Sequence, residues 1–303
     1  MLALIPASAS SKDQDMQKKT WLGNIKQEFR IYLRGNALNI LPLVILLIVT
    51  IFTVFGDSLI VTHDPIGMNL TERLRSPSRE HYFGTDEFGR DIFSRVISGT
   101  KISIAAAGFV LVIASTVGFM IGVCAGLWGG ALDEILMRIT DLFMAFPSMI
   151  LAIAIAATLG ASLKNTLIAL SVVFWPWYAR LVRAQVLSLR ERDYITAARS
   201  LGASTMRIIV WHLLPNLMPI LITQITLDVG YVILSTAGLS FLGLGAQPPT
   251  PEWGAMIMSA RQFMRESWWY TTFPGLALLL TVLSFNLLGD ALRDYLDPKM
   301  RGS

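Results

Sequence analysis

The sequence lacks the motifs of common hydrolases and nucleotide-binding proteins. Its 303 residues contain no G-x4-G-K-S/T, no H-E-x-x-H and no G-x-S-x-G. A P-loop requires the first pattern, because its glycine-rich backbone and its lysine hold the nucleotide phosphates. We therefore predict no catalytic residues in this chain and no cofactor bound by it. Any ATP hydrolysis that powers it must occur on another chain.

Cysteine and charge are also scarce. Cys124 is the only cysteine, which excludes an intrachain disulfide and a cysteine metal cluster. Charged residues make up 15% of the chain and hydrophobic residues 53%, a balance that indicates a polytopic membrane protein. The net charge of +4 is small and its basic residues cluster between apolar runs, so it is a topology signal and does not indicate nucleic-acid binding.

Six apolar segments alternate with polar ones, and each is at least about the length that crosses a hydrocarbon core of about 30 Å. They lie at about 35–56, within 102–132, and at about 133–159, 165–181, 213–244 and 268–289. Between Lys12 and Arg34 there are six basic residues and three acidic ones, which places the N-terminus in the cytoplasm. Six spans return the C-terminus to the same side. The predicted fold class is an all-α polytopic membrane protein with six transmembrane helices.

This pattern divides the chain into five parts. Residues 1–34 form a cytoplasmic N-terminal tail and amphipathic segment, and residues 35–56 form the first transmembrane helix. An external loop at 57–100 follows, and residues 101–290 form a five-helix core with a polar loop at 186–212. Residues 291–303 form a cytoplasmic tail.

Three features of the core predict how its helices pack. The pattern Gly118-x3-Gly122-x3-Gly126 favours close contact with another helix in the membrane. Pro147 predicts a kink within the third span. The charged residues that open this span are spaced for pairing along one helix face, which we favour over a catalytic carboxylate pair: Asp133, Glu134, Arg138 and Asp141.

The stretch Asp193–Pro215, here called the docking segment, is a polar interruption between two membrane-length apolar runs. Asp193 is suited to N-cap a short helix over Tyr194–Leu201, and Gly202 is suited to end it. Ser204 or Thr205 can cap the helix that follows. Small residues at 197, 198 and 202 leave a face that another protein can approach closely, while arginines at 192, 199 and 207 keep that face in water. We interpret the segment as a docking handle that transmits movement to the flanking spans.

The docking segment also resembles a known motif. Thr196-Ala197-Ala198, then Gly202, then His212-Leu213-Leu214-Pro215 is similar to the E-A-A-x3-G-x9-I-x-L-P loop of ABC importer permeases. Thr196 stands where that family usually has Glu, and His212 where it usually has Ile. The resemblance implies a coupling helix that sits in a groove of an ATPase subunit. It assigns the contact to Tyr194, Thr196, Ala197, Ala198, Arg199, Gly202, Leu214 and Pro215.

Three further motifs narrow the resemblance. The run F-G-T-D-x-x-G-R-D-x-x-S-R at 83–95 is similar to the signature of the dipeptide/oligopeptide/nickel branch, and its turns and mixed charges suit a self-paired, ordered loop. The stretch G-A-Q-P-P-T-P-E-W-G-A-M at 245–256 and the ending G-D-x-L-R-D-x-L-D-P at 289–298 also match the family. We identify the chain by this resemblance as a C-type permease subunit of a type I ABC importer.

The resemblance implies a set of partners and a location. They are a second permease in a heterodimer, two P-loop ATPase subunits carrying ATP and Mg²⁺, an extracytoplasmic substrate-binding protein and membrane lipid. The location implied is the cytoplasmic membrane of a prokaryote, and the mechanism is alternating access. Peptide uptake is the first substrate choice, and nickel or another small solute is the alternative.

Two groups of residues have open interpretations. Asp228, near the middle of the fifth span, is costly to hold in a membrane, so with Gln224 it lines a translocation path or else makes a structural hydrogen bond to a neighbouring helix. His63 and His81 have carboxylates nearby but are 18 residues apart without the spacing of metal ligands, so we predict no metal site.

Two other classes of protein were weighed against an ABC permease. A secondary transporter should carry more intramembrane carboxylates than Asp228 alone, or an internal inverted repeat. A membrane-embedded enzyme needs paired histidines or carboxylates on facing helices, and the three histidines of this chain lie outside the predicted span interiors. Both are therefore less favoured than the permease.

Overall fold

The computed structural model describes residues 40–296. The predicted N-terminal tail at 1–34 and the last residues of the C-terminal tail, 297–303, lie outside the described residues. The chain divides into two compact units, residues 1–44 and 45–303. Of the first unit, only residues 40–44 are described, and they open the first helix.

The described residues form helices and loops. In chain order, the helices are α1 (Ile40–Phe55), α2 (Ile92–Trp128), α3 (Gly130–Met144), α4 (Ser148–Leu159), α5 (Leu163–Arg190), α6 (Asp193–Ser200), α7 (Thr205–Ile208), α8 (Leu214–Phe241), α9 (Trp253–Ala260) and α10 (Trp268–Leu296). Two π-helical turns, Gly56–Ile60 and Ile209–Leu213, follow α1 and α7.

The number of spans agrees with the predicted six only if one of them is broken. Within residues 40–296, five helical segments are long and apolar enough to cross a membrane: Pro42–Ile60, Ile92–Trp128, Leu163–Arg190, Thr205–Phe241 and Trp268–Asp294. Helices α3 and α4 form a sixth span if counted together, although they bend by 86°. The bend falls at Pro147, where a kink was predicted, because proline cannot donate the next helical hydrogen bond. The break is much sharper than a kink.

Helix α2 begins ten residues earlier than the apolar run that predicted it, so the polar loop is shorter than expected and ends at residue 91. Asp91 caps the helix by accepting a hydrogen bond from the backbone N–H of Ser94 at 2.8 Å. The polar residues of the first turns are satisfied by neighbours: the Ser98 hydroxyl donates to Asp57 at 2.7 Å, and Lys101 lies 3.4 Å from the same carboxylate. The first turns of α2 are therefore polar, and an apolar pattern alone does not show that the helix begins there.

The glycine stripe of α2 packs against α5, as predicted. A Cβ atom added at Gly118 would lie 2.7 Å from the Trp175 carbonyl oxygen, and one at Gly122 would lie 2.6 Å from that of Ala179. At Gly126 it would lie 2.7 Å from Val186. No such Cβ fits, so the absence of side chains on three successive turns allows the two backbones to approach closely.

The charges of α3 pair differently from the prediction. Only Glu134 and Arg138 pair along the helix, at 3.8 Å. Asp133 and Asp141 instead accept hydrogen bonds from arginines of α5: Arg183 donates to Asp133 from Nε and Nη2 at 2.5 and 2.6 Å, and Arg180 donates to Asp141 at 2.5 Å. The sequence spacing allows Asp133 and Asp141 to pair within α3, but both carboxylates instead pair with arginines of α5.

Candidate functional site

The short helix α6 of the docking segment ends where the sequence predicts. Gly202 has φ of +83°, a left-handed conformation that favours glycine. Its N–H donates to the Arg199 carbonyl at 2.9 Å, and the Ala203 N–H donates to the Ala198 carbonyl at 3.0 Å. These two bonds form a Schellman motif, which satisfies the last carbonyls of the helix. Ser204 then caps α7 by accepting from the Arg207 N–H at 3.3 Å, as one of the two predicted caps.

The start of α6 differs slightly from the prediction. Asp193 is the first helical residue and not the cap, which is Arg192 with no side-chain hydrogen bond. A carboxylate in the first turn still stabilises the helix by interacting with its dipole.

One side of α6 is held by the body of the protein and the other is free of the described chain. Ile195 is fully buried and belongs to the same core cluster as Val186, Ile208 and Leu213. The candidate contact residues at 194, 196, 197, 199 and 202 are exposed, and Ala198 is half-buried. Leu201 is 89% exposed, a large fraction for an apolar side chain in an aqueous loop. The helix is therefore anchored mainly by Ile195 and presents small, apolar and charged side chains outward.

The docking segment joins the next span through an irregular turn. The π-helical turn Ile209–Leu213 precedes Leu214 and Pro215, which open α8. Pro215 has no N–H to donate within the helix. The side chain of the next residue, Asn216, donates to the His212 carbonyl at 2.6 Å. Leu214 and Pro215 thus lie at the connection between the exposed helix and the span, and they are not part of the exposed face of α6.

Asp228 and Gln224 lie one turn apart on α8 and are hydrogen-bonded to each other. Gln224 Nε2 donates to one Asp228 carboxylate oxygen at 3.0 Å, and the Tyr178 hydroxyl of α5 donates to the other at 2.6 Å. Tyr178 is fully buried, whereas Asp228 and Gln224 are half-buried. The interhelical hydrogen bond that the sequence left as an alternative is present, and both carboxylate oxygens accept a hydrogen bond while the Asp228 residue stays partly exposed.

The polar loop at 61–91 is ordered by internal pairing, as its motif predicts. Asp86 is fully buried and accepts hydrogen bonds from the backbone N–H groups of Phe88 and Arg90, at 2.8 and 2.9 Å. Its second oxygen accepts from Arg90 Nε at 2.5 Å and lies 3.6 Å from Arg95 Nε. A buried carboxylate is stable here because each oxygen is paired with hydrogen-bond donors.

The two motifs around residues 83–95 and 245–256 pack on each other, which their separation in sequence does not reveal. Arg95 Nη1 donates to the Pro65 carbonyl at 2.7 Å and lies within hydrogen-bond range of the Pro249 carbonyl at 3.2 Å. The Trp253 indole donates to the Val96 carbonyl at 3.0 Å, and Glu252 caps α9 with both carboxylate oxygens. The loop and the α8–α9 connection therefore form one structure.

The loop also brings together His63 and His81, although their separation of 18 residues gave no metal-ligand spacing. Their ring centroids are 4.7 Å apart, and His81 Nδ1 lies 2.9 Å from a carboxylate oxygen of Asp91. The two histidines are distant in sequence, which predicts no metal site, but the fold places them side by side. No local pattern could have signalled this arrangement, since the loop must fold before the three residues meet.

Residues 118–302 match the family model described as "Binding-protein-dependent transport system inner membrane component". DdpC of Escherichia coli K12, a probable D,D-dipeptide transport system permease protein, is 47% identical over 270 residues, which cover 89% of this chain and 90% of the relative. DppC of Alkalihalophilus pseudofirmus, a dipeptide transport system permease protein, is 44% identical over 98% of this chain and 95% of its own length.

Two further similarities extend the comparison. NikC of Escherichia coli K12, a nickel transport system permease protein, is 46% identical over 238 residues, 78% of this chain and 86% of NikC. A solved inward-facing structure of the MetNI methionine ABC transporter superposes with a TM-score of 0.54 at 20% identity, covering 67% of this chain and 96% of that chain. At this identity the structural similarity shows the fold alone, and it confirms the predicted all-α polytopic architecture.

Proposed function

Because this chain belongs to the family of binding-protein-dependent transport system inner membrane components, the permeases of ABC importers, we propose that it forms one half of a translocation path for dipeptides or oligopeptides. The peptide assignment is supported by relatives named for peptide transport that align with 89% and 98% of the chain. Nickel uptake is the second candidate, supported by the 46% identity to NikC.

The coupling proposal rests on helix α6, which is exposed and is anchored to the core by the buried Ile195. Such a helix can occupy a groove of an ATPase subunit while its other side transmits force to the ends of α5 and α8. The small side chains at 197 and 202 allow close approach, and Leu201 supplies apolar area for the contact. ATP and Mg²⁺ are held by two P-loop ATPase subunits, since this chain has no P-loop sequence.

The second permease is supported by the position of Asp228. The Asp228 residue is half-buried within this chain, and exposure of its charged side chain to lipid would be costly. The accessible part therefore faces either the path or the second permease that completes it. We assign Gln224 and Asp228 to this surface, with Tyr178 holding the carboxylate from α5.

The orientation follows from the charge bias of the sequence and from the ATPase contact. The docking segment faces the cytoplasm, and both termini lie on that side. The polar loop and the α8–α9 connection then face outward, where an extracytoplasmic binding protein delivers the substrate. ATP-driven closure of the ATPases moves α6, and the spans alternate between inward-facing and outward-facing states because the helix makes different contacts in each.

The test is purification of the chain from its native membrane in mild detergent, with mass spectrometry of the proteins that accompany it. We expect a second permease and P-loop ATPases. Ala197→Asp should release the ATPases without lowering the amount of permease in the membrane, because an exposed alanine is replaced in the predicted contact. Ala131→Asp is the matched control, since Ala131 is also exposed, at the start of α3, and outside the docking segment.

Substrate choice is tested separately, in liposomes containing the purified complex and its binding protein. Uptake of a radiolabelled dipeptide that depends on ATP supports the peptide proposal, whereas ATP-dependent uptake of ⁶³Ni²⁺ alone would replace it with nickel. Recovery of the permease without any ATPase, under conditions that keep other membrane complexes intact, would contradict the coupling proposal.

A further inference from the structure

Two imidazoles and a carboxylate converge beside the N-terminus of α2. Nitrogen or oxygen atoms of His63, His81 and Asp91 lie within 4.8 Å of one another, one from each residue. The Asp91 carboxylate lies 2.9 Å from His81 Nδ1 and 4.0 Å from His63 Nδ1. The two rings are tilted by 38°. Three donor atoms from separate parts of the loop thus share one small volume.

We propose that these three residues bind a divalent transition-metal ion, with Zn²⁺ as the preferred ion. Neutral imidazole and carboxylate are the ligands that zinc takes in proteins, and two histidines with one carboxylate form a common three-ligand set. Such a set leaves a fourth position for water or another ligand. Calcium and magnesium are disfavoured because they require mainly oxygen ligands.

The surroundings of His81 support the proposal independently. His81 is only 3% exposed, and its Nε2 has no hydrogen-bond partner, although Glu72 Oε2 lies 3.4 Å away. Metal-bound histidines usually donate their second ring N–H to a carboxylate, which fixes the tautomer and the ring orientation. Glu72 is placed to accept that bond once Nδ1 of His81 holds the ion. Metal binding at Nδ1 would therefore explain why Nε2 is buried beside Glu72 without a hydrogen bond.

The other two ligands are also held in place. The second Asp91 oxygen accepts from the Ser94 N–H at 2.8 Å, which fixes the carboxylate at the start of α2. The His63 backbone N–H donates to the Ser94 hydroxyl at 3.1 Å, which fixes the backbone of His63 beside α2. The Thr62 hydroxyl lies 3.0 Å from His63 Nδ1 and gives up that contact if this nitrogen holds the ion. An ion bound here would join the beginning of the loop to its end and to α2.

The proposal is tested on the purified complex that contains the full-length chain. The purification tag contains no histidine, and the binding protein is left out. After removal of metal with EDTA, the sample is dialysed against Zn²⁺, and the zinc retained per complex is measured by mass spectrometry. The variant His63→Asn is compared with wild type, because His63 is 38% exposed and its replacement disturbs the core least. His212→Asn is the matched control, since His212 is the third histidine of the chain and lies in the docking segment.

We expect wild type and His212→Asn to retain one more zinc ion per copy of this chain than His63→Asn. Zinc bound by partner proteins is common to all three samples and cancels. Glu72→Gln should raise the dissociation constant roughly 10- to 100-fold, as loss of an outer partner typically does. Equal zinc in wild type and His63→Asn, whether high or absent, would overturn the proposal, as would equal losses in His63→Asn and His212→Asn. Elution volume on gel filtration verifies that each variant remains assembled.

Discussion

Arg183 on α5 donates to both carboxylate oxygens of Asp133 on α3, from Nε at 2.5 Å and from Nη2 at 2.6 Å. One turn earlier on α5, Arg180 donates to Asp141 at 2.5 Å. These contacts fix α3, which precedes the 86° bend, to the end of α5 that leads into α6. If α6 moves as proposed, we expect these charged side chains to pass part of the movement from α5 to α3.

The paired geometry of Arg183 and Asp133 should be measurable as a coupling energy. In a double-mutant cycle of Asp133→Ala and Arg183→Ala, we expect a coupling energy of about 1 kcal/mol. The bidentate geometry strengthens the pair, whereas its partial exposure to solvent weakens it. The measurement is thermal unfolding of the purified complex. The exposed pair Glu134 and Arg138, at 3.8 Å, is the control and should show no measurable coupling. A coupling for Arg183 and Asp133 no larger than the control would contradict the prediction.

Replacement of Gly122 by valine should destabilise the protein. The added Cβ would lie 2.6 Å from the Ala179 carbonyl, so α2 and α5 must move apart, which typically costs about 1–3 kcal/mol. Gly108→Val on the same helix is the control, because no atom lies within 4 Å of a Cβ added there. The fraction of protein that stays monodisperse after a heating series reports the difference. Equal loss in both variants would mean that helix propensity, and not packing, sets the effect.

Gly202 is constrained by its conformation and not by crowding. A Cβ added there meets nothing within 4 Å, yet φ is +83°. Alanine should therefore cost about 1 kcal/mol within the chain, and asparagine less, because asparagine tolerates left-handed backbone. We expect the ratio of transport to ATP hydrolysis to fall in Gly202→Ala and to be partly restored in Gly202→Asn. Failure of both variants to the same degree would indicate that an ATPase contact excludes any side chain at this position.

Asp228 has two possible roles that substitution separates. Asp228→Asn keeps an oxygen that accepts from Tyr178, so the complex should assemble, while transport should fall about tenfold if the charge faces the path, the equivalent of ~1.4 kcal/mol. Tyr178→Phe removes one hydrogen bond and should lower stability by about 1 kcal/mol with little effect on transport. Assays of uptake and thermal stability on both variants decide the matter. Parallel losses in the two variants would leave Asp228 with the structural role alone.

The sequence predicts the structural features that depend on residues close together in the chain. Gly202 ends α6 because a left-handed residue is needed there, and the sequence carries that requirement in a single glycine. The stripe of glycines at 118, 122 and 126 repeats once per turn, so its helix-packing role can be recognised without knowing the partner helix. The docking segment contains a helix-ending glycine, Gly202, and small residues at 197 and 198 that allow close approach. Its length also fits between two spans.

Contacts between distant parts of the chain were not predictable in the same way. The charges of α3 had suitable spacing for each other, but arginines 39 and 50 positions later replaced that pairing. His63 and His81 approach only after the polar loop folds around the buried Asp86. The sequence predicts a loop for the polar first turns of α2, because the neighbours that satisfy these residues, such as Asp57, are distant in sequence.

Arg95 joins three separate parts of the chain, since its side chain extends from α2 to the carbonyls of Pro65 and Pro249. With the Trp253 indole bonded to the Val96 carbonyl, the first turns of α2, the polar loop and the approach to α9 form a single block. The parts of this block cannot separate without breaking one buried and two partly buried hydrogen bonds. Under the proposed function, we therefore expect a gate at this end of the molecule to open between this block and the second permease, with the block moving as a whole.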